Sequence, residues 1–178
     1  MSQAHLLPSI GMTLIMGQRS HIHQRMHALI VELALIGPVR LLIGGNRYDH
    51  YGINYALAAI TSHYEHILDN HIRLSRAETC YQMVELLIET QANETPSLIL
   101  DFLSVFYDES VAEREVNQLL FEAISALRRL SQQSMAVLSV HPSQNRPRLL
   151  KVLENTVDRI ECPTAQYPEP ISQHRLIR

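Results

Sequence analysis

The sequence predicts an α/β domain of three layers, a doubly wound, mainly parallel sheet with helices on both faces. Three observations carry this expectation. Apolar runs recur at residues 12–17, 39–44, 71–75, 97–102 and 135–140, and they are continuous rather than alternating, as strands covered on both sides must be. Between the runs, the apolar residues take helical spacing instead. With 178 residues and 46% apolar content the chain can bury one sizeable core, so a single domain over 1–178 is expected, its tail irregular from about residue 163.

Each element follows from its own pattern. After the first run, Ile22, Met26, Leu29, Ile30 and Leu33 keep one helical face, and the helix must stop at Gly37-Pro38, where proline offers no N–H and restricts its neighbour. The second run leads into Ile53, Ala56, Leu57, Ile60, Tyr64 and Leu68, and the third into Met83, Leu86 and Leu87. The clearest helix joins Val116, Leu119, Leu120, Ala123, Ile124, Leu127 and Leu130, with a start expected near Val111. Beyond Lys151 the pattern fades. "NTVDRIECP" and "HRLIR" are candidate edge strands, and Pro163, Pro168 and Pro170 mark the tail. Right-handed crossovers would stack these elements into the sandwich, with Leu14, Leu42, Ile99, Leu100 and Val137 in the sheet core.

Composition narrows the classes of function. A net charge of −3 and a pI near 6.3 speak against bulk wrapping by nucleic acid, so any such contact has to be local. Fourteen of the basic residues are arginines, and Lys151 is the one lysine. Cys80 and Cys162 form neither a disulfide framework nor a metal-ligand pair, and the first residues show no basic leader or long apolar span. A reduced, cytoplasmic, soluble protein without membrane contact is the expectation.

In a doubly wound sheet, ligands sit at the carboxyl ends of the strands. The stretch "GQRSHIHQ" follows the first run, where a phosphate loop G-x-x-x-x-G-K-[ST] would lie. Counted from Gly17, the second glycine, the lysine and the hydroxyl are replaced by Ile22, His23 and Gln24. A weak anion site at the helix start, with Gly17, Arg19, Ser20, His21 and His23, stands against a plain strand-to-helix turn. In "LILDF", Asp101 ends a strand as a magnesium-orienting acid would, or as an ordinary loop-capping residue does.

His23 and His27 stand four apart and could share a metal, but a third ligand is missing and exposed polar side chains are the better reading; no metal is expected. Cys80 falls in a helix's first turn, which suits a packed small side chain or, less commonly, an activated thiol. Around Gly44-Gly45, Tyr48, Asp49 and Tyr51 either approach a ligand or pack under the loops. From Arg128 to Lys151 there are five basic residues and no acid, whereas Glu78 to Glu122 holds ten acids and one arginine. "HPSQNRPRLLK" is therefore a short polar loop whose Gln144, Asn145, Arg146, Arg148 and Lys151 suit phosphate oxygens of DNA, without aromatics for base stacking.

The order of segments resembles the RecA-like recombinase core and its paralogs. "IRLSRAETCYQMVELL" is similar to that family's third strand, arginine-alanine turn and helix; "SLILDFLSVFYDES" to its magnesium-aspartate strand; and "EREVNQLLFEAISALRRLSQQSMAVLSV" to its next helix and strand. "LLIGGNRYDHYGINYALA" resembles an element of bacterial RecA-like proteins of unassigned role. The similarity runs from about residue 12 to 162, with degenerate motifs throughout.

The departures matter as much. Where the family ends its second strand with a water-polarising glutamate, this chain has Asn46, which cannot act as a general base, with Asp49 the nearest carboxylate. Where the family senses nucleotide with a glutamine, it has His141. The resemblance thus implies a non-catalytic accessory module without a cofactor, assisting DNA recombination or repair by weak, sequence-independent DNA contact. It implies as well a RecA-like partner or a homo-oligomer. The charge pattern offers the acidic stretch of Asp108, Glu109, Glu113 and Glu115 and the arginine-rich stretch of Arg128 to Arg148 for a head-to-tail contact, against a monomer that the two patches simply keep soluble. The alternative is a switch or ATPase binding ATP with magnesium through a non-standard loop.

Overall fold

The computed structural model describes residues 8–45 and 47–164. In chain order the elements are β1 (Gly11–Ile15), α1 (Arg19–Ile36), β2 (Val39–Gly44), α2 (His50–Ile60), α3 (Tyr64–His71), β3 (Ile72–Ala77) and α4 (Cys80–Glu89). There follow β4 (Ser97–Leu100), a 3-10 turn (Phe102–Tyr107), α5 (Glu113–Ser131), β5 (Met135–Ser139), α6 (Arg148–Thr156) and β6 (Arg159–Glu161). All pairings are parallel, in the order β3-β2-β4-β5-β1-β6.

This order fixes the layers. The chain runs from β1 through β2 to β3 in one direction along the sheet and then returns through β4 and β5 to β6. Right-handed crossovers therefore place α1–α3 on one face and α4–α6 on the other. The two buried clusters match that division. Met12, Leu14, Leu42, Ile99, Leu138 and Val140 pack with α4–α6, while Ile15, Val39, Leu41, Leu98 and Val137 pack with α1–α3. Alternate residues of one strand thus serve opposite cores, which is why the runs of the central strands are largely apolar, whereas β3 at the sheet edge carries Arg73, Ser75 and Arg76.

Several boundaries differ from the sequence reading, each for a local reason. The pattern over residues 53–68 divides into α2 and α3 because Thr61 is extended and its hydroxyl takes the His63 N–H. The third run is the edge strand β3, half exposed along its length because only β2 pairs with it. The fourth strand stops at Leu100, where Asp101 turns left-handed (φ 56°) into the 3-10 turn. As a result Leu100 is only partly buried and lines a cleft instead of closing the core. Helix α5 starts at Glu113, after a turn in which the Val111 N–H bonds to the Asp108 carbonyl.

"NTVDRIECP" does supply an edge strand, β6, beside β1. "HRLIR", with Arg175 and Arg178, and the tail prolines Pro168 and Pro170 lie outside the described residues, as does Asn46. One ionic contact joins α1 to β6: the buried Arg25 guanidinium donates from Nε to Glu161 Oε1 at 2.5 Å. Among the described residues no helix is long and apolar enough to cross a membrane.

Candidate functional site

Because the chain leaves β1 and β2 toward one face and β4 and β5 toward the other, a crevice opens at their carboxyl ends. It holds a cleft of about 500 Å³. Helix α1 contributes Arg19, Ser20 and His23, the segment after β2 contributes Arg47, and Leu100, Asp101, Ser139 and His141 form the floor. His21, in the same first turn of α1, does not line it.

The first loop is much shorter than a phosphate cradle. Strand β1 ends at Ile15 and α1 begins at Arg19, so only Met16, Gly17 and Gln18 connect them. Ile22, His23 and Gln24 already lie inside the helix. Gly17 makes the turn at φ 132°, a conformation that favours glycine, with nothing within 4 Å of where a Cβ would stand. The first turn of α1 carries neither a side-chain cap nor an acid, so the positive end of an 18-residue helix adjoins the exposed Arg19 and Ser20.

Asp101 is held from three sides. Its N–H donates to Ser139 Oγ at 3.0 Å, its carbonyl accepts the Ser104 N–H at 3.1 Å, and its Oδ1 lies 3.6 Å from His141 Nε2. The absence of a side chain at Gly44 allows this approach, since a Cβ there would sit 2.5 Å from the Asp101 carbonyl oxygen. His141 in turn accepts the Tyr107 hydroxyl on its backbone carbonyl at 3.3 Å. Burial pushes the His141 pKa below its ordinary 6.5; the Asp101 carboxylate opposes that shift, and Arg19, Arg47 and His23 add to it. The imidazole is thus mainly neutral at pH 7. Burial, helped by Asp101, raises Tyr107 to about 12, so its hydroxyl remains a donor.

Asp49 is occupied as a helix cap, accepting the Gly52 N–H on Oδ1 at 2.9 Å. Its other oxygen lies 3.9 Å from His23 Nε2. His23 and His27 stand with ring centroids 6.3 Å apart, His27 lowered in pKa mainly by burial. No metal-binding group of three occurs among the described residues. Tyr48 packs beside this pair, its pKa raised mainly by burial, whereas Tyr51 is 76% exposed. Cys80 is buried, and burial raises its thiol pKa; Cys162 is exposed.

A triphosphate with magnesium does not fit these residues: the connection is too short to wrap phosphates, no lysine reaches it, and Asp101 faces an imidazole. A smaller anion fits better, between two guanidinium groups and a helix start.

The residues expected at DNA divide. Arg146, itself left-handed at φ 55°, sends its guanidinium inward to the carbonyls of Phe106 (3.5 Å) and Val111 (2.5 Å). It therefore anchors the 3-10 turn. Gln144, Asn145, Arg148 and Lys151 are exposed, the last two on α6. Arg129 donates to the carbonyls of Leu87, Ile88 and Thr90 and so caps α4. Two of the five basic residues from Arg128 to Lys151 thus hold the fold together.

Arg47 and Ser139 are site residues that the sequence reading missed. Arg47 sits just after a strand end, where a closer look at each loop would have found it. Ser139 lies within an apolar run and carries no such signal. Compared with protein-family models and with curated proteins, the chain matches none.

Proposed function

We propose that this chain is a non-catalytic RecA-like accessory module that holds a phosphorylated ligand in its cleft without turning it over. The observation that carries the reading is the three-residue turn from β1 into α1, which brings Arg19 and Ser20 to the same cleft that Arg47 lines. Guanidinium groups bind phosphate oxygens in a fork that needs no metal, and about 500 Å³ is room for a mononucleotide-sized ligand. Turnover would need a base to polarise water. Asp49 caps α2 and Asp101 faces His141. The neutral His141 could act as a base, but among the described residues the cleft lining holds no lysine to stabilise a transferring phosphoryl group.

In this proposal the module assists DNA recombination or repair, in company with a RecA-like protein partner. Exposed Gln144, Asn145, Arg148 and Lys151 supply a weak, sequence-independent contact to the DNA backbone. The second reading, a nucleotide-responsive switch, is favoured by the position of Arg47: a ligand bridging Arg19 and Arg47 would tie α1 to the segment that starts α2.

Calorimetry with inorganic phosphate, AMP and ATP, with and without magnesium, tests the proposal. Binding should not require magnesium and should weaken when Arg19 or Arg47 becomes alanine. ATP turnover should lie at least about a hundredfold below the ~1 s⁻¹ of ordinary phosphoryl-transfer enzymes. Turnover near that rate, abolished by Asp101→Ala, would overturn the non-catalytic reading. A switch would further show slower amide exchange in residues 47–53 when ligand is added.

A further inference from the structure

We infer that α2 is a homodimerisation helix, packing antiparallel against α2 of a second copy of this chain. Residues 50–62 contain no Asp, Glu, Lys or Arg. Helix α2 already buries its core face through Ile53 and Leu57, so this lack of charge belongs to its outer face. There Tyr51 and Tyr55 are each 76% exposed. A solvated helix ordinarily carries charges opposite its core face.

The outer face suits a copy of itself. Tyr51, Tyr55 and Ala59 form one i, i+4 ridge, with Ala58 beside it, all exposed. Two large side chains occupy the first half and two small ones the second. In an isologous, antiparallel pair this order is reversed in the partner, so with Tyr55 near the two-fold axis each Tyr51 falls over Ala59 of the second copy. A charged partner finds no counter-charge on this face, whereas two neutral faces meet without repulsion. The four tyrosines would remove on the order of 600 Å² from water, short of the ~1,600 Å² of a standard interface. The dimer is accordingly weak and concentration-dependent. It differs from a head-to-tail charge contact, for which Arg129 and Arg146 are already engaged within the fold. The inference stands apart from the phosphate reading of the cleft.

Sedimentation equilibrium between about 5 and about 300 μM brackets a micromolar dissociation constant. The mass should rise from 20.3 kDa toward twice that value, and should do so equally at low and high salt, since the contact is apolar. Tyr55→Glu should be monomeric throughout with an unchanged melting temperature, an equimolar mixture of Tyr55→Glu and Tyr55→Lys should dimerise again, and Tyr51→Ala should weaken association at least about tenfold. A monomeric wild type, association abolished by salt, wild-type dimerisation of Tyr55→Glu, or no rescue in the mixture would each overturn the inference. So would a monomeric wild type that binds a short single-stranded oligonucleotide through Tyr51, which would give the face to nucleic acid instead.

Discussion

Replacing Glu161 by alanine should destabilise the protein far more than replacing its partner Arg25 by methionine. The Arg25 side chain is 4% exposed and the Glu161 side chain 32%. Nε and Nη2 both reach the carboxylate, while Nη1 is buried without a hydrogen-bond partner among the described residues. Stranding a fully buried charge costs about 3–5 kcal/mol. Here the carboxylate side is about one-third open, so water can reach the guanidinium and the cost should fall to about 2–3 kcal/mol. In a domain of this size each kcal/mol moves Tm by about 2–4 °C, so Glu161→Ala should melt roughly 5–10 °C lower. Arg25→Met removes the buried charge and its unpartnered nitrogen together, and Glu161 regains solvent, so the change should stay within about 1 kcal/mol. Urea unfolding followed by circular dichroism, run on both single variants and the double, gives the coupling energy. Glu161→Ala within about 0.5 kcal/mol of wild type, or Arg25→Met as costly as Glu161→Ala, would refute the reasoning.

Three further outcomes follow from the site and the loops around it. Gly44→Ala should cost about 2–3 kcal/mol because its Cβ meets a backbone oxygen; Gly37→Ala, in extended backbone with open space, should be neutral or stabilise by about 0.4–1 kcal/mol, and urea midpoints compare the two. His141 and His27 have folded pKa values below the ordinary 6.5, so the folded state favours the neutral imidazole: their contribution is complete above about pH 6.5 and is lost as pH falls through the folded values. Urea midpoints should therefore decline below that pH, less steeply in His141→Gln, and NMR titration should show the His141 pKa falling further in Asp101→Asn and rising in Arg47→Gln. Arg148→Gln with Lys151→Gln should flatten the log–log salt dependence of DNA binding by about two units, whereas Arg146→Gln should lower stability by about 1–3 kcal/mol through its lost carbonyl bonds.

The sequence by itself determined the strands and most of the helices. A segment covered on both sides must be apolar whatever covers it, so Val39–Gly44 and Met135–Ser139 were legible without knowledge of their neighbours. It also pointed to Arg19, Ser20, His23 and Asp101, which line the cleft, and to Gly17 and His21, which do not, because chain leaving a strand's carboxyl end meets the crevice in any doubly wound sheet. Strand order is a different kind of fact. Arg73, Ser75 and Arg76 in β3 hint at an exposed edge, but nothing in β1 announces β5 and β6 as its partners. The divided fate of the basic segment is likewise tertiary. Arg146 and Arg148 look alike in a polar loop, yet one guanidinium reaches carbonyls 35 and 40 residues earlier while the other stays in water. That choice depends on where the 3-10 turn after β4 leaves its carbonyls. The direction was set when Asp101 turned left-handed over the bare backbone of Gly44, a contact between residues 57 apart that no local pattern encodes.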